Sequence, residues 1–381
     1  MAVFKFMAEI ECVSDENQFL SLRPEWTELW EDSLTQSFFL THDWIRCCWK
    51  ELQLRNQLRV FVLREGGKAV LIAPFMKSRR AQRGIPADCL TLIEHPEAQS
   101  ADIMVAQSHA DSEHFLRLLR FLIEQQGTDW HVLLLDKLSE QSITLQLLTT
   151  AAEAAFSHFE IRPSHQALFI PLVGGWEGYL NSRSRRFRKT LRNVENRIER
   201  LGTLIVNCYS GSQCGYGVIQ KMFSVSDLSW KIADGIAMTS QRSRMTFFED
   251  LISLHREDVR VWLLEVNGTP IASEIQVVDG LTVYALRSDY DERYADSSPG
   301  VYLQVEILKR LFCSPYRQYN LGVGINPYKT RWADERFSLM NLRIYNRTIY
   351  SRFLRSIEQC NGHLKRMPGV RTLHDFIVGR A

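Results

Sequence analysis

The chain has 381 residues, about twice the common domain size, so two domains of roughly 170 to 200 residues are expected, each long enough to bury a core. With 46 Lys+Arg against 44 Asp+Glu the net charge is +2, so bulk attraction to nucleic acid is not implied and local charge clusters matter more. Eight scattered cysteines form no Cys-x-x-Cys pair, which argues against a zinc ribbon or a disulfide framework and for reduced thiols in a cytoplasmic protein.

The start of the chain, MAVFKFMAEIECVSDE, turns acidic early, and no later run approaches the ~18 apolar residues of a membrane span. Neither export nor membrane insertion is expected. Trp26, Leu29, Trp30 and Phe38, then Trp44, Ile45 and Trp49, have the spacing of helices that pack their tryptophans inward. Arg59 to Leu63 and Ala69 to Ala73 flank Gly66-Gly67 and read as a β-hairpin, with further strands at Cys89 to Ile93 and Ile103 to Ala106. Phe115, Leu118, Leu119, Leu122 and Ile123 mark an amphipathic helix stopped by Gly127, and His131 to Leu135 a buried strand. A helix over 143 to 155 and a strand over 167 to 172 complete this half.

The hairpin has a counterpart later in the chain: Arg260 to Leu264, a turn at Asn267-Gly268, and Pro270 to Glu274. Each hairpin is followed by further strands, an amphipathic helix and a compact strand, so two similar α/β halves are inferred, with the boundary between residues 172 and 173. The fold class expected is α/β (α+β), each half a mixed, mostly antiparallel sheet flanked by helices.

Just beyond the seam comes the most unusual composition in the chain, SRSRRFRKTLRNVENRIERLG. Phe187, Leu191, Val194, Ile198 and Leu201 make one narrow apolar stripe, while Arg183 to Arg200 holds eight Lys or Arg against Glu195 and Glu199. Such a run is either a solvated surface face or a site for an anionic ligand, for which Arg185, Arg186 and Arg188 are the candidates.

Leu281 to Arg287 reads as a strand, Ser298-Pro299 as a helix start, Val301, Val305, Leu308 and Phe312 as that helix's inward face, and Gln318 to Val323 as a second strand. A helix that starts just past a strand end offers backbone N–H groups and its positive dipole end to a phosphate, here from Ser298 through Gly300 and Val301 to Tyr302. On the strand from Pro270, alternation puts Glu274 and Gln276 on one face, as ordinary solvent exposure or as a carboxylate facing a groove. Lys329, after Tyr328, is either a surface lysine or a cation that steadies an oxyanion or an anionic substrate. Arg287 and Asp289 end the preceding strand near the same place. The histidines lack ligand spacing such as His-x-x-x-His, and neither a Gly-x-Ser-x-Gly elbow nor a Walker loop occurs, against metal, hydrolase and P-loop chemistry. A strand over 337 to 345, a helix over 350 to 359 and a basic tail beyond Gly362 close the chain.

From Trp176 to Trp332 the sequence resembles the GNAT-superfamily acetyltransferase domain of the CelD (cellulose biosynthesis) type, related to Fem-type peptidoglycan ligases. The carriers are Tyr179-Leu180 with the Arg-rich helix ending at Leu201-Gly202, Trp230, Pro270-Ile271-Ala272, Tyr290-Asp291 with Tyr294-Ala295, Ser298-Pro299-Gly300, Leu321-Gly322 with Gly324, and Tyr328-Lys329 with Trp332. Asn320 and Asp289 depart from the pattern, which often has Asp and Gly there, and Ser298-Pro299-Gly300 replaces the usual glycine-rich pyrophosphate loop.

The resemblance implies two GNAT-like halves, the first as scaffold, and an acyltransferase using acetyl-CoA or another acyl-CoA without a metal. It implies a small-molecule or glycan acceptor, such as a carbohydrate or cell-envelope precursor. Glu274, Lys329 and Tyr328 would be catalytic, and Ser298, Gly300, Val301 and Tyr302 would hold the donor. Trp230, Arg287 and Asp289 would join the three arginines at the acceptor. Two rival readings are a Fem-type ligase fed by aminoacyl-tRNA and a non-catalytic protein that binds an acidic polymer or nucleic acid on a GNAT scaffold.

Overall fold

The two hairpins form with the same turn chemistry. Gly66 and Gly67 have φ of 58° and 82°, and Asn267 and Gly268 have 49° and 81°, the paired left-handed conformations whose twist matches that of the flanking strands. The computed structural model describes residues 9–364 apart from positions 83, 125, 126, 128, 156, 256 and 334, with side chains through residue 358. The residues before Glu9, the basic tail beyond residue 364 and its His374 lie outside the described residues.

The strands are β1 (Glu9–Val13), β2 (Asn56–Glu65), β3 (Lys68–Gln82), β4 (Ile85–Leu92), β5 (Met104–Val105), β6 (Val132–Ser139), β7 (His158–Pro171), β8 (Leu204–Ser210), β9 (Val259–Val266), β10 (Thr269–Asp279), β11 (Thr282–Tyr290), β12 (Gln318–Val323) and β13 (Glu335–Tyr345). They make one mixed sheet in the order β1-β2-β3-β4-β6-β13-β7-β12-β11-β10-β9-β8, with β5 paired to β3. Each half contributes one parallel pair, β4 with β6 and β11 with β12, and the remaining pairs of that path are antiparallel. The internal echo in the sequence is therefore an echo of topology: hairpin, parallel partner, crossover helix.

The two halves do not simply sit in sequence order. β13, near the end of the chain, pairs with β6 on one side and β7 on the other, while β7 carries the first half's edge over to β12. β13, although it comes long after residue 172 in the chain, therefore lies among the strands of the first half. Packing interleaves them too. The largest apolar cluster joins Trp26, Trp44 and Phe115 of the first half to Phe247, Phe248 and Leu251 of the second, with His95 stacked on Phe247 at 3.8 Å.

The basic helix, Arg185–Ile198, is capped by Ser184, whose hydroxyl accepts from the Phe187 N–H. Its stripe, Leu191, Val194 and Ile198, is buried, and these contacts rather than its charged faces fix its place beside the helix Pro299–Leu311. Among the described residues no helix is long and apolar enough to cross a membrane, and the cysteines whose side chains are described are all free.

Candidate active site

β11 and β12 pair over three residues only, Thr282 with Gln318 through Tyr284 with Asn320, and then part. The cause is visible on β11's other edge, where the register with β10 shifts between Ile275 and Gln276, leaving Leu286 as an extra residue against β10. A bulge bends and twists its strand, so β11 leaves β12 just where the cavity begins. That cavity, of about 550 Å³, fills the wedge and is walled by Ala285 to Tyr290, Leu321 to Val323, the start of the helix Pro299–Leu311, and Tyr328-Lys329. At Gly322, φ is 88°, which strains any side chain, and a Cβ would sit close to Gln99 Oε1 at 3.3 Å and to Ala285 O and Lys329 Nζ at 3.4 Å.

Glu274 lies on the cavity wall yet is 3% exposed, so the solvent-facing reading of this strand face gives way to burial. Ile275 and Val277 opposite are buried as well, because β10 is an interior strand covered on both faces. Its carboxylate accepts three hydrogen bonds: Tyr319 Oη at 2.6 Å and Gln276 Nε2 at 2.7 Å on Oε1, and Ser288 Oγ at 2.8 Å on Oε2. Trp262 Nε1 holds Gln276 at 2.8 Å, and Gln304 Nε2 holds Tyr319 at 3.1 Å, so the carboxylate's setting is fixed by four strands and a helix. Burial raises the Glu274 pKa above the ordinary 4.5, and the three donors reduce that rise without cancelling it. Ser288 is exposed on the cavity wall and so links the buried carboxylate to the open space.

Lys329 stands on the short helical turn after β12 and donates from Nζ to the Val323 carbonyl at 2.8 Å. Burial lowers its pKa from 10.5 to about 8; the charge of Glu97 works against that shift and Lys231 adds to it. Tyr328 keeps 39% of its surface, but its hydroxyl end is buried, and this together with the nearby Glu274 charge pushes the phenol well above its usual value. Arg287 and Asp289 lie in the same wall, paired to each other at 3.2 Å and extended by Lys231 to Asp289 at 2.6 Å and Arg287 to Glu97 at 2.8 Å. For Asp289, burial alone would raise the pKa, but Lys231 and Arg287 outweigh it and hold the carboxyl ionised. Trp230, 43% exposed, completes the rim beside Lys231.

The residues expected to hold the donor divide. Ser298, Gly300 and Val301 line the cavity, whereas Tyr302 lines a second, smaller pocket on the other side of its helix, against Trp176, Leu180 and Arg188. Ser298 is the residue before the helix, in the left-handed conformation (φ 56°, ψ 54°), without the side-chain cap its residue type suggested. Its carbonyl takes the Val301 and Tyr302 N–H groups at 3.0 and 3.2 Å, and Pro299 has none to give. Of the three arginines, Arg185 and Arg186 are exposed and Arg188 borders the second pocket; none lines the first. The basic helix does touch the helix start, through Arg197 Nη2 to Ser298 Oγ at 3.4 Å.

Ser288, Glu97 and Gln99 are among the contributors not singled out in the sequence, as are Lys231, Tyr319 and Gln304. Ser288 sits in the run Arg287-Ser288-Asp289, whose three consecutive polar residues at a strand end are a signal that could have found it. Glu97 and Gln99 come from the loop after β4, in the half expected to be scaffold, and Gln99 Oε1 accepts the Val323 N–H at 2.9 Å. Nothing local marks those two, since their role depends on the loop's reach across the sheet.

Residues 185–330 match the family model described as an acetyltransferase (GNAT) domain. That stretch is similar to a GNAT domain. Among solved structures the chain resembles FemX, with a TM-score of 0.57 at 11% identity over 90% of this chain and 100% of that one. It also resembles the C-terminal domain of a protein from Agrobacterium fabrum named for lysylphosphatidylglycerol synthetase, with 0.53 at 13% identity over 88% and 95%. A conserved protein of unknown function from Bacteroides thetaiotaomicron gives 0.55 at 12% over 89% and 100%. At such identities these likenesses establish a GNAT-like fold and nothing of chemistry. No curated protein matches.

Proposed function

We propose that the chain is an acyltransferase that moves an acyl group from acyl-CoA, with acetyl-CoA the first donor to try, to an amine or hydroxyl of a carbohydrate or cell-envelope precursor. The observation that carries this reading is the wedge between β11 and β12, with Glu274 behind one wall and Lys329 at its mouth. Acyl transfer needs a base for the nucleophile's proton and a positive group for the oxyanion. Glu274, its pKa raised by burial, is the base, reached through the Ser288 hydroxyl. That hydroxyl takes the proton of the attacking group as it passes its own to the carboxylate. Lys329 supplies the cation, with Tyr328 beside it, and the cavity stretch from Ser298 to Val301 holds the donor. Trp230, Arg287 and Asp289 shape the acceptor end, and Arg185, Arg186 and Arg188 receive any anionic extension of the ligand beyond the cavity.

Acceptor-dependent release of thiol from an acyl-CoA series, with amino sugars and sugar alcohols as acceptors, tests the reading. The expected result is release above the no-acceptor rate, with acceptor KM raised when all three arginines are reversed to Glu; no release with any pair overturns it. A Fem-type ligase remains the second reading because Pro299 and the closed first turn leave a thin phosphate cradle at that helix. It predicts transfer from aminoacyl-tRNA and none from acyl-CoA.

Ser288→Ala removes one of the donors that favour the ionised Glu274, so the carboxyl's pKa should rise further. The acidic limb of the kcat/KM profile is expected to move to higher pH relative to wild type. An unmoved limb with full activity removes Ser288 from the proton path.

A further inference from the structure

Far from the wedge, at the tip of the β2–β3 hairpin, three side chains from separate elements converge. Glu65 ends β2, His109 belongs to the turn Gln107–His109, and His114 lies in the first turn of the helix Ser112–Glu124. His114 Nε2 is 3.2 Å from Glu65 Oε1 and His109 Nε2 is 3.5 Å from Glu65 Oε2, and a set of one ligand atom from each residue lies within 4.8 Å throughout. In a tetrahedral site with bonds of about 2.0–2.1 Å the ligand atoms stand about 3.3–3.4 Å apart. Each imidazole stands at about that spacing from one of the two Glu65 oxygens.

What sets this cluster apart from a plain surface ion pair is that each member is held from behind. His114 Nδ1 donates to Asp111 Oδ1 at 2.8 Å, and Asp111 is itself fixed by the Glu113 and His114 N–H groups at the helix start. His109 Nδ1 lies 2.8 Å from Ser108 Oγ, and Arg117 Nη1 donates to Glu65 Oε1 at 2.6 Å, leaving Oε2 to face His109. With Nδ1 held by Asp111, His114 presents Nε2 to the Glu65 carboxylate. Metal-bound histidines are oriented in this way, by a carboxylate or hydroxyl on the far nitrogen.

We propose that Glu65, His109 and His114 bind a divalent first-row transition ion of the zinc class, with a fourth position open to water. Two imidazoles and one carboxylate suit zinc, cobalt or nickel and not magnesium or calcium, which take oxygen ligands. The ion has no part in the acyl transfer proposed above; it ties the hairpin to the helix. The sequence hid this set because His109 and His114 are five apart across the break between a turn and a helix, and their third ligand lies in a hairpin remote in the chain.

The test is a Co²⁺ titration of chelator-treated full-length protein, read by visible ligand-field absorption, then Zn²⁺ displacement. Saturation at one equivalent is expected, with affinity lowered at least tenfold in His109→Ala and His114→Ala and by about 10–100-fold in Asp111→Asn. Zn²⁺ should raise the Tm of wild type but not of His109→Ala, a substitution at a half-buried position. Three results overturn the proposal: no saturation near one equivalent, equal binding by wild type and His109→Ala, or a near-ultraviolet thiolate band that assigns the ion to cysteines.

Discussion

Glu274→Gln is expected to lower turnover by about 10²–10⁴-fold, the range for removing a general base, with substrate binding little changed. The variant should fold. Glutamine is close in volume, its carbonyl still accepts from Tyr319 and Gln276, and its amide faces the Ser288 hydroxyl, which can accept. Burial holds the folded-state pKa of Glu274 above 4.5, so its contribution to stability is fully present below 4.5 and is lost as pH rises through the folded value. A neutral side chain does not undergo that loss. The Tm at neutral pH should therefore stay within the shift produced by about 1 kcal/mol, one neutral hydrogen bond. In wild type the rate should fall on an acidic limb lying above 4.5, and the residual rate of the variant should lack that limb. Wild-type turnover across the pH range would show that Glu274 is a structural carboxylate.

The elements were legible because their signals are local. Glycine or Asn-Gly between β-branched runs specified both hairpins, and the three-four spacing of Leu191, Val194 and Ile198 specified the buried stripe of the basic helix. The strand Gln318–Val323 has the bounds its sequence suggests. Non-local features were not legible. Alternation along β10 distinguished its two faces, but only the position of the strand in the sheet decides that both are covered, so Glu274 and Gln276 are buried where alternation alone allows solvent. The bulge at Leu286 follows from the mismatch of β11 with β10, which no window of sequence contains. The insertion of β13 between β6 and β7 pairs residues far apart in the chain, and the same long-range geometry brings Glu97 and Gln99 to a site that the resemblance assigns to the second half alone.

Lys329→Met should cost about 10²–10³-fold in kcat, as removal of one oxyanion-stabilising group does, and its pH dependence separates two roles the lysine could play. Burial brings the ammonium pKa from 10.5 down to about 8, so the group changes charge within the range where assays are run. A cation that steadies the oxyanion works protonated, and the wild-type rate should then decline on an alkaline limb near 8. An amine acting as base would make the rate climb there instead. The variant should lose the limb in either case, so the direction in wild type decides the role and the loss in the variant assigns the limb to Lys329. Stability moves the other way from activity. A lysine with a depressed folded pKa contributes stability that is present above 10.5 and lost as pH falls through about 8, so near neutrality the folded protein bears the full cost of the buried charge. Methionine fills similar space without that charge, and the Tm at pH 7 should be equal to or above that of wild type. A variant that is both slow and less stable would mean that the Nζ bond to the Val323 carbonyl holds the end of β12 in place, and that the lost rate reflects a collapsed wedge, not a missing cation.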